Sequence, residues 1–125
     1  ALKTNEITRK KSDFLEGTYA LHGIEEVMDK DEVLIWVDPF DVDQEKFFER
    51  LVKNVGIKII AISSQKTMFP TIMIPECDQY EEYLQIAAGW NVLVETGVAL
   101  GIDLDRPERA RKIGNRYIPE IGLQL

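Results

Sequence analysis

The sequence has few of the residues that form disulfides and metal centres. It contains one cysteine and one histidine in 125 residues. A lone cysteine cannot form an intrachain disulfide, and with a single histidine it does not make up a zinc ligand set. We therefore expect neither a metal nor a cofactor. We interpret Cys77 as a structural or incidental thiol, because no second histidine is present to activate it.

Clusters of basic residues and long apolar runs are also scarce. The 15 Lys and Arg against 22 Asp and Glu give a net charge of −7. Nucleic-acid binding needs clustered cations, and the one basic run, residues 9–11, is too short to provide them. No apolar run reaches the ~18 residues of a membrane helix, and no signal-peptide pattern is present. We expect a soluble cytoplasmic protein that binds neither nucleic acid nor a membrane.

The sequence does contain alternating strand and helix patterns. Apolar runs of strand length occur at 32–38, 57–63 and 71–75, and helical patterns at 1–11, 44–55 and 78–100. This alternation predicts an α/β fold, with a parallel sheet flanked by helices and right-handed crossovers. A sheet of three strands is thin for this class, and the chain begins in what reads as a helix interior. We therefore expect a single domain, 1–125, that is part of a larger doubly wound one.

Several finer predictions follow from these patterns. The strand at 32–38 is continuously apolar from Val33 to Val37, which predicts burial on both of its faces. In the helix at 44–55, the stripe of Phe47, Phe48, Leu51 and Val52 is predicted to be core. From residue 84 to residue 100 the last helix is apolar nearly all round, which indicates burial under the sheet or in a subunit interface.

Helix boundaries are predicted from capping residues. Ser12 and Asp13 are suited to begin a new helix after the first one. Pro107 is suited to begin another near the carboxyl terminus, with Glu108 favourable in its first turn.

Two polar segments each permit a ligand interpretation and a simpler one. Asp41 and Asp43 suggest a calcium loop, but the glycine and the late glutamate of such a loop are missing, so helix capping is favoured. The hydroxyl-rich residues 63–67 follow a strand, where phosphate binds in open α/β sheets. They contain no glycine and Pro70 follows closely, so a polar connection is favoured over a phosphate site.

The first two dozen residues carry the clearest chemical pattern. Lys3 and Glu6 are three residues apart, so on a helix their side chains share a face. His22, a residue type that commonly serves as a general acid or base, follows in a loop. Lysine, glutamate and histidine together are suited to proton transfer on a carbonyl compound. The simpler interpretation is a solvated ion pair on a surface helix and a solvated histidine.

Three motifs occur in order along the chain. They are ALKTNEI at residues 1–7, His22-Gly23, and ALGIDLDRP at residues 99–107 followed by RARK at 109–112. Together they resemble the second half of a sugar isomerase (SIS) domain. The sequence is similar to the isomerase part of the glutamine–fructose-6-phosphate aminotransferase family, which includes archaeal glucosamine-6-phosphate deaminases. The resemblance covers residues 1 to about 112 and implies a flavodoxin-like sheet with a carboxyl-terminal tail at about 106–125.

The resemblance also implies roles for four residues. Glu6 corresponds to the base that shuttles a proton between C1 and C2 of the open sugar. Lys3 corresponds to a lysine that tunes this glutamate and helps to stabilise the enediol-type intermediate. His22 corresponds to a histidine that assists ring opening and reaches the site of the neighbouring subunit. Lys112 corresponds to a tail lysine that condenses with the ketose carbonyl. The implied partners are a phosphorylated sugar or amino sugar and a second copy of the chain.

The sequence departs from the family pattern at several points. Ile24 replaces the proline of the family's His-Gly-Pro turn, Thr18-Tyr19 replaces a Gly-Glu pair, and Glu108 replaces an arginine. The family's phosphate-binding loop lies upstream of the matched segment.

Three functions are therefore considered. The first is a sugar-phosphate isomerase or deaminase, and the second is a non-catalytic module that binds sugar phosphates. The third is a segment that only dimerises through residues 84–100. The presence of all four ionisable residues favours the enzyme, because a sensor needs none of them.

Overall fold

The computed structural model describes residues 1–38 and 42–110, and it adds the backbone of 112–113 and 116–117; Val42 is likewise described by its backbone alone. Two 3₁₀ turns, Tyr19–Leu21 and Ile24–Val27, precede the first strand. The elements in chain order are α1 Leu2–Thr8, β1 Val33–Val37, α2 Val42–Asn54, β2 Lys58–Ser63, β3 Thr71–Met73, α3 Glu81–Ala99, β4 Lys112–Ile113 and β5 Arg116–Tyr117.

The centre of the fold is a parallel sheet of β1, β2 and β3, in that order. Leu34 pairs with Ile59 and Trp36 with Ala61 across the first two strands. Strands β4 and β5 form a separate antiparallel pair. The predicted α/β fold with a parallel sheet flanked by helices is thus confirmed.

The connection between β2 and β3 has no helix. Parallel neighbours usually need a crossover of a dozen or more residues, yet here residues 64–70 suffice. The register explains this, because Thr71, the first residue of β3, pairs with Ala61 near the end of β2. The chain therefore steps back by only two residues, about 7 Å, before it re-enters the sheet.

Helix α2 covers one face of the sheet and completes the main core. Phe48 is 1% exposed and stacks on Trp36 with ring centroids 4.3 Å apart. Leu51 is also buried, so half of the predicted α2 stripe is confirmed. Phe47 and Val52, the other half, are 47% and 39% exposed, and for them the prediction is wrong. Helical periodicity places only one row of α2 side chains, that of Phe48 and Leu51, against the sheet. Phe47 and Val52 lie beside this row and remain open to solvent.

Helix α3 lies on the opposite face. Successive strand residues point to opposite faces, so Ile62 faces away from the α2 side on which Ala61 lies. A Cβ placed on Gly89 of α3 would lie 4.0 Å from Ile62 Cδ1, which sets α3 against this face.

The prediction that β1 is buried on both faces is wrong within the described chain. Val33, Ile35 and Val37 are 52%, 37% and 46% exposed. They lie on the α3 face of the sheet, where α3 packs over β2 and leaves the β1 side chains open.

Two predicted helix starts are also wrong. Ser12 and Asp13 begin no helix; instead Ser12 Oγ donates a hydrogen bond to the carbonyl of Ala1 at 2.9 Å. The Ser12 side chain thus closes the loop back onto α1, which ends at Thr8, because Arg9 takes a left-handed conformation with φ 53°. Around Pro107 the chain bends without forming a helix, and the backbone is extended at Lys112–Ile113.

Candidate functional site

Helix α1 carries the first two predicted site residues and packs on α3. Gly97 makes this close approach possible, because a Cβ there would lie 3.1 Å from the carbonyl oxygen of Ile7 and 2.7 Å from Leu104 Cδ2. Thr8 is buried, and its hydroxyl donates to the carbonyl of Thr4 at 2.7 Å. A seven-residue helix is too short to be stable alone, so α1 depends on this docking.

Lys3 and Glu6 form the ion pair that their spacing predicts. Lys3 Nζ lies 2.7 Å from Glu6 Oε2, and both side chains are about half exposed, at 49% and 50%. Lys3 Nζ also lies 5.8 Å from the centre of the Trp90 ring on α3, within range of a cation–π contact. A carboxylate that can accept a proton therefore stands next to an ammonium that can stabilise an oxyanion.

Arg9 joins the end of α1 to the loop after α3. Its guanidinium pairs with Glu108 and donates to the carbonyls of Asp103 and Arg106, at 3.2 and 2.9 Å. These three contacts, called the Arg9 clamp below, join residues 94 to 99 positions apart in the sequence. The sequence alone does not reveal this role of Arg9, which stands there as part of a short basic run. No local pattern predicts a partner 99 residues away.

The same clamp limits where Lys112 can lie. The backbone of Lys112 belongs to β4, and its side chain lies outside the described part of the chain. An extended chain spans at most about 3.6 Å per residue, so Lys112 Cα lies within about 14 Å of Glu108 Cα. The segment that carries Lys112 therefore starts beside the helix that carries Glu6.

His22 lies in a different part of the fold. It follows the turn Tyr19–Leu21, whose Ala20 belongs to the core with Trp36 and Phe48 on the α2 face. The imidazole is exposed, with Nε2 3.1 Å from the Thr18 hydroxyl. The described contacts thus join Lys3 to Glu6 and do not join His22 to either. That His22 serves a neighbouring subunit stays a prediction.

A polar cavity lies at the carboxyl ends of β1 and β2. Its volume is about 210 Å³, and its lining includes Ser63, Ser64 and Gln65 together with the carboxylates of Asp38, Glu76, Asp78 and Glu81. Burial raises the pKa of Asp38, and the nearby Glu81 and Glu82 add to the rise, while a hydrogen bond with Gln85 opposes it.

This cavity is unsuited to phosphate, because four acidic side chains would repel the anion. The neighbouring hydroxyls are moreover engaged within the loop. Ser63 Oγ accepts the Gln65 N–H at 3.0 Å, and the Thr67 and Thr71 hydroxyls bond each other at 2.8 Å. These contacts support the interpretation of residues 63–67 as a polar connection.

The described residues contain no group of three or more His, Cys, Asp and Glu that could hold a metal ion. Asp43 lies in the first turn of α2, where a carboxylate favours the helix dipole, and pairs with Lys46 at 3.0 Å; Asp41 lies outside the described residues. In the same part of the chain, no helix is both long enough and apolar enough to cross a membrane.

Comparison with known proteins adds no assignment. No protein family model matches the sequence. No curated protein is significantly similar to it. The resemblance to SIS domains therefore depends on the motifs of the chain itself.

Proposed function

We propose that this chain is part of a sugar-phosphate isomerase or glucosamine-6-phosphate deaminase of the SIS type. It acts in the cytoplasm on fructose 6-phosphate or glucosamine 6-phosphate. The observation that carries the proposal is the half-exposed Lys3–Glu6 pair, held on a helix that Arg9 clamps to the loop before Lys112. Motifs far apart in sequence thus meet at one face of α3.

The chemistry needs one base that serves two adjacent carbons. The Glu6 carboxylate removes the proton from C2 of the open aldose and returns it to C1, while the proton of the C2 hydroxyl passes to the C1 oxygen, which gives the ketose. As the enediol forms, negative charge develops on the carbonyl oxygen, and the Lys3 ammonium stabilises it. The Trp90 ring holds Lys3 from the α3 side, so the ammonium does not depend on Glu6 alone for its position.

The two other predicted residues complete the proposed reaction. Lys112 condenses with the ketose carbonyl, which requires a lysine that has lost its proton and so one shielded from water. His22 assists ring opening in the site of the second subunit of a homodimer. Its exposed ring, on the face of the sheet opposite α1, is accessible to a neighbouring chain.

A second candidate function is a non-catalytic module that binds sugar phosphates. The half exposure of both Lys3 and Glu6 favours it, since a solvated ion pair needs no catalytic role. The two functions differ in one measurable respect, because only the enzyme exchanges the C2 proton of the sugar with solvent.

The test replaces Glu6 with glutamine in the full-length protein. Glu6→Gln keeps the shape of the side chain and removes the base, so exchange of the C2 proton in D₂O should fall about 100-fold or more. Binding of the sugar phosphate, measured by calorimetry, should change less than about threefold, which is under 1 kcal/mol.

Glu16→Gln, an exposed glutamate outside α1, serves as the matched control and should exchange at the wild-type rate. Equal exchange in Glu6→Gln and wild type would rule out Glu6 as the base. Binding without exchange in the wild type would instead establish the non-catalytic module.

A further inference from the structure

Arg9 lies at the end of α1, one helical turn after Glu6. The helix ends here because Arg9 takes a left-handed backbone conformation, with φ 53°. Its guanidinium bonds the carbonyls of Asp103 and Arg106 and pairs with Glu108. The stretch of chain that leads to the tail is thereby attached to the helix that carries the proposed base.

The loop after α3 has two attachments that can be separated. Its first part packs on α3, because an added Cβ on Gly97 would lie 2.7 Å from Leu104 Cδ2. Its later part is held by Arg9, which contacts Arg106 and Glu108. Loss of the guanidinium would therefore leave the first part in place and release the part that continues into the tail.

Helix α1, in contrast, has contacts with α3 that do not involve the guanidinium. The backbone of Ile7 packs closely on Gly97. Lys3 Nζ lies 5.8 Å from the centre of the Trp90 ring. These contacts keep Glu6 in position when the Arg9 clamp is removed.

We propose that Arg9 is a positioning residue for Lys112. Through the Arg9 clamp, the segment that carries Lys112 starts at a fixed place beside Glu6. The inference rests on the proposed function, because it concerns the step that Lys112 performs there. Position matters for such a step, since a displacement of about 1 Å at a reacting group can cost roughly 100-fold in rate.

The contact with Glu108 is particular to this chain. The SIS pattern has an arginine at this position, and this sequence has a glutamate. An arginine at position 108 would repel Arg9, because both guanidinium groups are positive. The resemblance to SIS domains therefore does not imply the Arg9 clamp.

The step that Arg9 serves is the condensation of Lys112 with the open ketose. The neutral lysine nitrogen attacks the carbonyl carbon, a C=N bond forms, and the carbonyl oxygen leaves as water with both protons of the amine. Removal of the C2 proton from the aldose occurs at Glu6 and needs no contact with Lys112. Arg9 should therefore affect the first of these steps and not the second.

The test measures both steps in the full-length Arg9→Ala variant. Borohydride reduces the imine of Lys112 and fructose 6-phosphate to a stable secondary amine, and mass spectrometry of the tail peptide gives the rate of trapping. This rate should fall at least about tenfold in Arg9→Ala. Exchange of the C2 proton of glucosamine 6-phosphate in D₂O should change less than about threefold, because Glu6 stays in position.

Two further variants connect the effect to the Arg9 clamp. Glu108→Arg keeps Arg9 and places a like charge next to it, so trapping should fall here too. Lys10→Ala is the matched control, because it removes an exposed positive charge beside Arg9 and should trap at the wild-type rate. Circular dichroism should show that all variants fold.

The possible outcomes separate this role from the proposed function. Equal trapping in Arg9→Ala and wild type would overturn the role of Arg9. An equal loss of trapping and exchange would also overturn it, since Arg9 would then only hold α1 in place. A wild type that exchanges the C2 proton but traps no imine would refute the role of Lys112 and that of Arg9 with it. A wild type that does neither would refute the proposed function itself.

Discussion

Asp38 combines three features at the carboxyl end of β1. Its backbone is left-handed, with φ 55°, its carboxylate hydrogen-bonds Gln85, and burial raises its pKa above the ordinary value of 3.8. Asparagine also tolerates a left-handed backbone, so it can replace this residue without new strain. The ionised carboxylate is the costly state here, since burial removes water from it and Glu81 and Glu82 repel it.

We predict that Asp38→Asn stabilises the fold at neutral pH. The pKa of Asp38 is higher in the folded than in the unfolded chain, so the folded state holds the proton more tightly. Wild-type stability from this group is thus complete below pH 3.8 and is lost as the pH rises through the raised pKa. The free energy of unfolding of Asp38→Asn should exceed that of the wild type at neutral pH, and this difference should disappear in acid.

Urea denaturation across this pH range measures the effect. The exposed Asp13→Asn removes one negative charge elsewhere and serves as the control. A gain of equal size in acid and at neutral pH would contradict the assignment of the cost to the Asp38 carboxylate.

At the scale of single residues, the sequence predicts side chains that meet within one helix. The Lys3–Glu6 contact follows from a spacing of three and is present at 2.7 Å. Trp90 contacts Lys3, and Arg9 bonds the loop after α3, but no local sequence pattern predicts either contact. Their partners lie on elements separated by most of the chain, and only tertiary packing brings them together.

Among the elements, α3 shows how one helix can use two glycines differently. At Gly89 an added Cβ would make an ordinary contact, 4.0 Å from Ile62. At Gly97 it would press on the backbone of Ile7, 3.1 Å away. The second glycine therefore sets the distance between α1 and α3, while the first does not restrict packing.

We predict opposite effects of the same substitution at these two positions. Gly89→Ala should stabilise the fold by up to about 1 kcal/mol, because alanine favours the helix. Gly97→Ala should lower the free energy of unfolding by about 1–2 kcal/mol, because the crowding of Ile7 exceeds this gain. Chemical denaturation measures both. Stabilisation by both changes would show that α1 does not pack closely on Gly97.

At the scale of elements, periodicity locates β1, β2 and the long helices to within a few residues. Periodicity fails to predict burial where burial depends on which element packs over a face of the sheet. An unbroken apolar strand predicts two buried faces, yet Val33, Ile35 and Val37 are open because α3 packs over the neighbouring strand. The capping signal likewise fails at Ser12, whose hydroxyl bonds back to Ala1 instead of capping a new helix.

For the whole molecule, the Arg9 clamp links the two ends of the described chain. We predict that Arg9→Ala lowers the free energy of unfolding by about 1 kcal/mol, a modest value because the Glu108 side chain is 68% exposed. Faster hydrogen exchange at the Arg106 amide, which donates to the Asp103 carbonyl, should accompany it.

Arg9→Lys should recover little of the loss, because an ammonium does not reproduce the planar fork that reaches three acceptors. Lys10→Ala, an exposed neighbour, should leave both quantities unchanged. Unaltered exchange at Arg106 in Arg9→Ala would show that the loop holds its shape without the clamp.

At this scale, alternating periodicity predicts the parallel sheet, and the observed order β1-β2-β3 follows the chain. No pattern in the sequence predicts the docking of α1 on α3. It joins residues about 90 positions apart through a glycine, an indole and a guanidinium, and such contacts have no signature in any short window of sequence.

The remote position of α1 has a consequence for how the protein assembles. Pairing strands that are neighbours in sequence closes only short loops of chain. Docking α1 on α3 closes a loop that contains most of the chain, and this costs more conformational entropy. We expect α1 to be the last element to attach and the first to detach. Such partial opening would leave the sheet intact and separate Lys3 and Glu6 from Trp90, so the protein should lose the candidate site at lower temperatures than it loses its secondary structure.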